Sequence, residues 1–183
     1  MLRHVEAQDE GYASGSFEIE KRSGLYLRSR ILKELFALFC LLENDRPGFK
    51  PSRVLEVGCG LGNISPFLRA CADNVLSIDL SEEAVATARR RNAGLSEVDY
   101  LVHDGTRPMD SDVISEHRYD LIYVREFHPF SRDLYESQDK AHLVHGNICR
   151  QYIELLYDAG YLVISQMSRE QQSIKTRSII SSK

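Results

Sequence analysis

Arg53-Val54-Leu55-Glu56-Val57-Gly58-Cys59-Gly60-Leu61-Gly62-Asn63 is the stretch that decides how this chain folds. Val54, Leu55 and Val57 form a short apolar run around one acidic residue, which reads as a buried strand over 53–57. Glycines at 58, 60 and 62 let the backbone turn sharply and leave its amides uncovered by side chains. A ligand can then lie against the main chain itself. Ile64, Phe67, Leu68 and Cys71 follow at spacings of three and four, the apolar stripe of a helix over 63–72 packed back on the strand.

Downstream the same alternation repeats. A second strand spans 74–79 and ends in Asp79. A helix begins after Ser81, a good cap, with Glu82 and Glu83 in its first turn and Arg89, Arg90 and Arg91 in its last. That charge order suits the helix dipole at both ends and gives the three arginines a structural role. A third strand, 98–103, runs into Asp104-Gly105, and a loop or short helix covers 106–118. The fourth strand, 119–124, leads into Arg125-Glu126-Phe127-His128-Pro129-Phe130, an odd mixture of charged and aromatic residues for a mere loop. A helix over 139–158, ended by Gly160, precedes a fifth strand over 161–165. Strands that are continuous apolar runs, separated by helices at short intervals, define an α/β fold: a doubly wound, mostly parallel sheet covered on both faces.

The flanks are less informative. Residues 1–24 are polar, with isolated Tyr12 and Phe17, and read as a flexible arm or a lid over a ligand. A helix over 24–43 carries a broad apolar face of Ile31, Leu32, Leu35, Phe36, Leu38, Phe39 and Leu42, and Pro47-Gly48 marks the turn after it. Residues 25–183 are read as one domain with its core at 50–166, and the tail from Met167 as one more helix.

Bulk properties exclude several classes. The 183 residues suit a single domain, 43% of them are hydrophobic, and the net charge of -4 gives no general pull toward nucleic acid or anionic membrane. The four cysteines stand far apart, with no CxxC pair, and Cys40 and Cys71 fall on apolar helix faces. Free buried thiols are expected, without a disulfide framework or a zinc site. No signal peptide or membrane span is read, so a cytoplasmic location is expected. His142 and His145 lie one helical turn apart, but no third ligand is evident and no metal is assigned.

The polar features collect at one place. In an open parallel sheet, ligands bind beyond the carboxyl ends of the strands, where the winding reverses. The loop 58–62, Asp79, Asp104 and the segment 125–128 all fall at such ends. An acidic residue closing the second strand, about 20 residues after a glycine turn, is the expected acceptor for both ribose hydroxyls. Asp104 is placed to accept from an exocyclic amine such as that of adenine, or else simply forms an Asp-Gly turn. Glu56, buried in its strand, needs a partner, and a ligand ammonium would serve. Together these describe a nucleoside carrying a cationic amino acid, which is S-adenosylmethionine. The rival dinucleotide fingerprint is G-x-G-x-x-G. Here the third glycine comes one position early, at 62, and Asn63 takes the fingerprint place.

Val54 to Gly62 resembles, nearly residue for residue, motif I of the class I S-adenosylmethionine-dependent methyltransferases. Leu76-Ser77-Ile78-Asp79-Leu80-Ser81 is similar to their ribose-binding segment, Val102-His103-Asp104-Gly105 to the adenine-side segment, and Tyr119-Asp120-Leu121-Ile122 to the fourth-strand motif. The likeness covers roughly residues 50–166. It implies that Gly58, Cys59, Gly60, Gly62 and Asn63 cup the methionine and ribose portion, and that Asp79 takes the ribose hydroxyls. Leu80 would pack on the adenine, Asp104 and Gly105 would border its amine, and Arg125 would lie beside the methionine amino group.

Two departures from the family shape the remaining expectations. The sequence is expected to end before the usual antiparallel hairpin of sixth and seventh strands, as a fragment or a natural short form would. That hairpin is therefore expected to be lacking, and a homo-oligomer or a partner could cover the open sheet edge. The Asn/Asp-Pro-Pro-aromatic string of enzymes that methylate nucleic-acid amino groups is absent, and Glu126-Phe127-His128-Pro129-Phe130 stands in its place. The expected acceptor is therefore a small molecule methylated on oxygen or nitrogen, with nucleic acid not expected. His128 would take the acceptor proton and Glu126 would orient it or bind a cationic acceptor. Two rivals are a catalytically inactive scaffold that keeps the fold and a nicotinamide-dependent oxidoreductase, against which Asn63 argues.

Overall fold

The structure, a computed structural model, describes residues 20–131, 134–168 and 171–181. It holds two compact units, residues 1–50 and 51–183. In the second unit, β1 (Arg53–Val57), β2 (Asn74–Asp79), β3 (Val98–Val102), β4 (Tyr119–Arg125) and β5 (Leu156–Ser168) run parallel. β6 (Gln171–Ser181) pairs antiparallel with β5. The strand order is β3-β2-β1-β4-β5-β6. Winding therefore runs outward from β1 and reverses between β1 and β4, the place where such sheets bind ligands.

Parallel neighbours need crossovers, and helices supply them. α1 (Glu20–Asp45) precedes the sheet, and α2 (Ser65–Cys71) links β1 to β2. α3 (Glu82–Arg91) links β2 to β3, a 3-10 turn (Pro108–Asp110) and α4 (Asp112–Ser115) lie before β4, and α5 (Gln138–Glu154) lies before β5. On one face of the sheet Leu55, Val57, Ile78, Ile122, Val124 and Leu162 pack with Ile148, Tyr152 and Leu155. A second cluster joins Cys59, Tyr100 and the α3 residues Val85 and Ala88. Each buried aliphatic side chain stabilises by about 1.5–3 kcal/mol, so these layers dominate the energetics. Ser81 caps α3 by accepting from the Ala84 amide at 3.1 Å. The three arginines at its other end bond locally: Arg89 to the Tyr100 carbonyl, Arg90 to Thr87 and Arg91 to Asn63.

In the first unit, α1 begins four residues before the expected start at Gly24. Its buried stripe is Ile31, Leu35, Leu38 and Leu42, whereas Leu32 and Phe36 are exposed. The apolar face is therefore narrower than the sequence suggests. Cys40, expected to be buried, lies off that stripe and is exposed; Cys59 is buried, and Cys71 and Cys149 are half-buried. The arm expected over 1–24 lies, up to residue 19, outside the described residues.

Three expectations downstream need correction. α2 starts two residues later than residue 63, because the glycine turn extends through Gly62. α5 ends at Glu154, and Gly160 belongs to β5 and not to a helix cap. A Cβ at Gly160 would stand 2.9 Å from the Tyr119 carbonyl oxygen, so the missing side chain lets β5 lie close on β4. The tail expected as a helix forms β6, pairing Val163 with Ile179 and Met167 with Ile174. A strand satisfies the row of peptide groups along the outer edge of β5, which a helix would leave unpaired. The β5 edge, expected open with the hairpin lacking, thus carries one antiparallel strand.

Candidate functional site

The glycine loop is lashed to β2 by its own amides. Gly58 and Cys59 both donate to the Ile78 carbonyl, at 2.9 and 3.0 Å. Gly60 donates to Asp79 Oδ2 at 2.8 Å, and Gly62 donates to the Cys59 carbonyl at 3.0 Å. All three glycines take positive φ (77°, 51° and 70°), a conformation side chains disfavour. The expectation that this loop offers open amides to a ligand is thereby corrected: four of them are engaged inside the protein. A pyrophosphate, which such loops hold through amides, would find those donors in use.

The third glycine has a packing role. A Cβ at Gly62 would stand 2.6 Å from Asn92 Nδ2 and 2.8 Å from the Ala88 Cβ, so its bareness lets α3 approach. This is the work of the last glycine in the dinucleotide fingerprint, done one position earlier. Asn92 in turn donates to the Gly62 carbonyl and to the Tyr100 hydroxyl. The Cys59 thiol points into the Val85, Ala88 and Tyr100 cluster, and burial pushes its pKa well up, so Cys59 meets the loop surface through its backbone. Asn63 is held by Arg91 at 3.3 Å.

Asp79 is fixed from both sides. Besides the Gly60 amide on Oδ2, Oδ1 accepts from the Ser81 amide at 3.0 Å. Each carboxylate oxygen has a second lone pair, so the group remains an acceptor for paired hydroxyls. Half-buried Leu80 stands between these two anchors. Asp104 does make the Asp-Gly turn: its Oδ1 accepts from the Thr106 amide at 2.9 Å and the Thr106 hydroxyl at 2.7 Å. The turn uses one oxygen and leaves Oδ2. At Gly105 a Cβ would stand 2.9 Å from both Phe127 Cζ and Val57 Cγ1, so the Phe127 ring closes over it.

After β4 the chain turns abruptly. Glu126 takes φ 46°, an unfavourable backbone for a side chain of its size, and its amide donates to the Ser165 carbonyl at 2.8 Å. Arg125, with a side chain 15% exposed, lies 3.5 Å from the Glu126 carboxylate. Gln166 donates to the Phe127 carbonyl at 2.7 Å, and His128 opens a 3-10 turn, His128–Phe130. Phe130 and Tyr135 pack edge-on against His145, whose Nε2 meets the Pro129 carbonyl at 3.0 Å. That imidazole therefore supports the loop.

Glu56 is 2% exposed. The partner its burial demands comes from within: Ser65 and Ser77 each place a hydroxyl 2.6 Å from its Oε2. Burial pushes its pKa up to about 7, against the two serine hydroxyls and the Arg125 charge, which lower it. Neither serine is singled out by the glycine motif. Ser77 has a signal nonetheless, a hydroxyl in the middle of the apolar run Val75-Leu76-Ser77-Ile78. The roles of Phe127 over Gly105 and of Asn92 against Gly62 carried no comparable signal, since those partners lie 22 and 30 residues away in sequence.

The donor set fits a nucleoside without phosphates. Rigid carboxylates stand at the ends of β2 and β3, and the loop's amides are engaged. S-adenosylmethionine is such a molecule, and Glu56 and Asp79 suit its positive charge.

This fold and site define a class. Residues 54–144 match the family described as a methyltransferase domain. That match covers about half of the chain, and the fold is the Rossmann-like one of the S-adenosylmethionine-dependent methyltransferases. No curated protein sequence matches it. Among solved structures it is similar to the N-methyltransferase NodS from Bradyrhizobium japonicum WM9, at 17% identity and TM-score 0.57 over 77% of this chain and 71% of that one. A DhpI complex with S-adenosylhomocysteine is similar at 20% identity and TM-score 0.57, over 97% and 79%. The plantazolicin methyltransferase BamL, in complex with a triazolic desmethylPZN analog and S-adenosylhomocysteine, is similar at 21% identity and TM-score 0.61, over 92% and 60%. The chain thus spans 60% of the length of BamL.

Proposed function

We propose that this protein transfers a methyl group from S-adenosylmethionine to an oxygen or nitrogen of a small-molecule acceptor. The observation that carries the reading is the engagement of the Gly58, Cys59, Gly60 and Gly62 amides beside a fixed Asp79 carboxylate. Such a loop suits a ribose and disfavours a pyrophosphate. Solved neighbours in complex with S-adenosylhomocysteine, the demethylated cofactor, support the same reading.

When bound, the cofactor supplies an activated methyl group on a sulfonium. The chain has then to hold, align and deprotonate. Asp79 accepts from the ribose hydroxyls, Leu80 packs on the adenine, and Asp104 Oδ2, beside Gly105, accepts from its amine. The Arg125 guanidinium has only donors, so in place of the methionine amino group that the family likeness implies for it, it suits the carboxylate of that portion. Glu126 and His128, projecting from the turn after β4, face the acceptor. Glu126 would orient it and His128 would take its proton, leaving the acceptor atom able to receive the methyl group that the cofactor would supply.

Calorimetric titration with S-adenosylhomocysteine tests the cofactor reading. Binding that Asp79→Ala weakens strongly is expected, and no binding by the native chain would overturn it. A panel of small hydroxyl and amine acceptors, followed by release of S-adenosylhomocysteine, tests the acceptor class.

A further inference from the structure

Glu56 stands in a row of hydroxyls that the established motif does not explain. Strand register aligns Glu56 of β1 with Ser77 of β2, and Ser77 with Tyr100 of β3. On the other side Glu56 aligns with Tyr123 of β4. Ser65 reaches in from α2 to Glu56, and its hydroxyl also bonds with Tyr100. The hydroxyls of Ser65 and Ser77 are themselves 3.2 Å apart.

This cluster tolerates a proton. With Glu56 ionised, both serines donate to Oε2. With Glu56 protonated, its O–H donates to one serine, which turns and donates to the other, so no contact is lost. The groups facing the carboxyl are Ser65 from α2, Ser77 and Asp79 from β2, Tyr100 from β3, Tyr123 and Arg125 from β4, and Cys59 from the loop. Arg125 is also paired with Glu126, and Asp79 opposes ionisation.

We propose that Glu56 carries a proton in the free site and releases it when the cationic cofactor seats on the loop two residues beyond, so that cofactor loading is gated by pH. This rests on the cofactor reading above. A cation stabilises the carboxylate form, the proton passes to solvent, and a buried carboxylate takes over part of the charge balance. The raised pKa of Glu56, about 7, puts the exchange near neutrality. By linkage, affinity rises with pH by up to about tenfold per unit below the free-site pKa and levels off above it.

Calorimetry of S-adenosylmethionine and S-adenosylhomocysteine in buffers of different ionisation enthalpy counts the protons released. Release is expected for both ligands, larger for the sulfonium, which carries one more positive charge. Glu56→Gln fixes the neutral form. It should bind at every pH with the low-pH affinity of the native protein and show no buffer dependence. Ser77→Ala removes a donor and should move the midpoint of the affinity profile to higher pH, while Ser77→Thr restores it. Tight binding without buffer dependence, or unchanged release in Glu56→Gln or Ser77→Ala, would overturn the inference and leave the cofactor reading standing. Absence of binding to either ligand would overturn both.

Discussion

Glu56 and Ser77 are register partners on adjacent parallel strands, and the Ser77 hydroxyl lies 2.6 Å from the Glu56 carboxylate. A charged group in the middle layer of a sheet is thus satisfied by a neighbouring strand. The stability of the whole unit becomes sensitive to its protonation.

Replacing Glu56 by Gln should flatten the dependence of stability on pH. Burial raises the folded carboxyl to about 7, well above the ordinary range of an exposed glutamate, so the folded state holds a proton that the unfolded chain has lost in that interval. Its stabilising contribution is complete below the unfolded value and disappears as pH rises through 7. The shift corresponds to on the order of 3 kcal/mol. Urea titrations at pH 5 and 8 should show native stability falling relative to Glu56→Gln; parallel curves would refute this.

Asp79 both binds and builds. Asp79→Ala removes the acceptor of the Gly60 amide as well as the proposed ribose acceptor. Hydrogen bonds to charged groups contribute about 1.5–3 kcal/mol each, so affinity for S-adenosylhomocysteine should fall by roughly a hundredfold or more. Asp79→Asn, which keeps an acceptor oxygen, should lose less. Isothermal titration measures both.

Gly62→Ala should destabilise the unit by about 1–3 kcal/mol, since the added Cβ meets Asn92 and Ala88 at 2.6 and 2.8 Å. The positive φ of 70° adds strain. Thermal unfolding checks the size. A melting temperature equal to that of the native chain would contradict the packing role.

Gly105→Ala should push the Phe127 ring aside, because the new methyl would lie 2.9 Å from Phe127 Cζ. Phe127→Leu in the same molecule should recover part of the loss, and a double-mutant cycle reads the coupling. Additive effects would show that the two residues do not share this space.

Much of this was legible in the chain itself. The turn at 58–62 and the acidic strand ends were visible because strand, turn and helix signals are local in sequence. The cap at Ser81 was visible for the same reason. The start of α2 was misplaced because the third positive-φ glycine prolongs the turn beyond its expected end. The fate of the tail was not legible, because polar residues with scattered isoleucines suit a helix or a strand, and the free edge of β5 decides between them. Gly160 was misread as a cap because only strand pairing reveals the backbone it approaches.

The sequence by itself determined the fold class and the place of the site. Apolar runs, helical periods and glycines act through near neighbours, and their order alone sets a parallel sheet with its polar residues at the strand ends. Only the tertiary structure decided what those residues face. It turned the loop's amides inward onto β2, set Gly62 against α3, and brought Ser65 and Ser77 to Glu56 from 9 and 21 residues away. Hydrogen bonding and burial depend on distances in space, and those distances exist only once the sheet has brought separate strands into register.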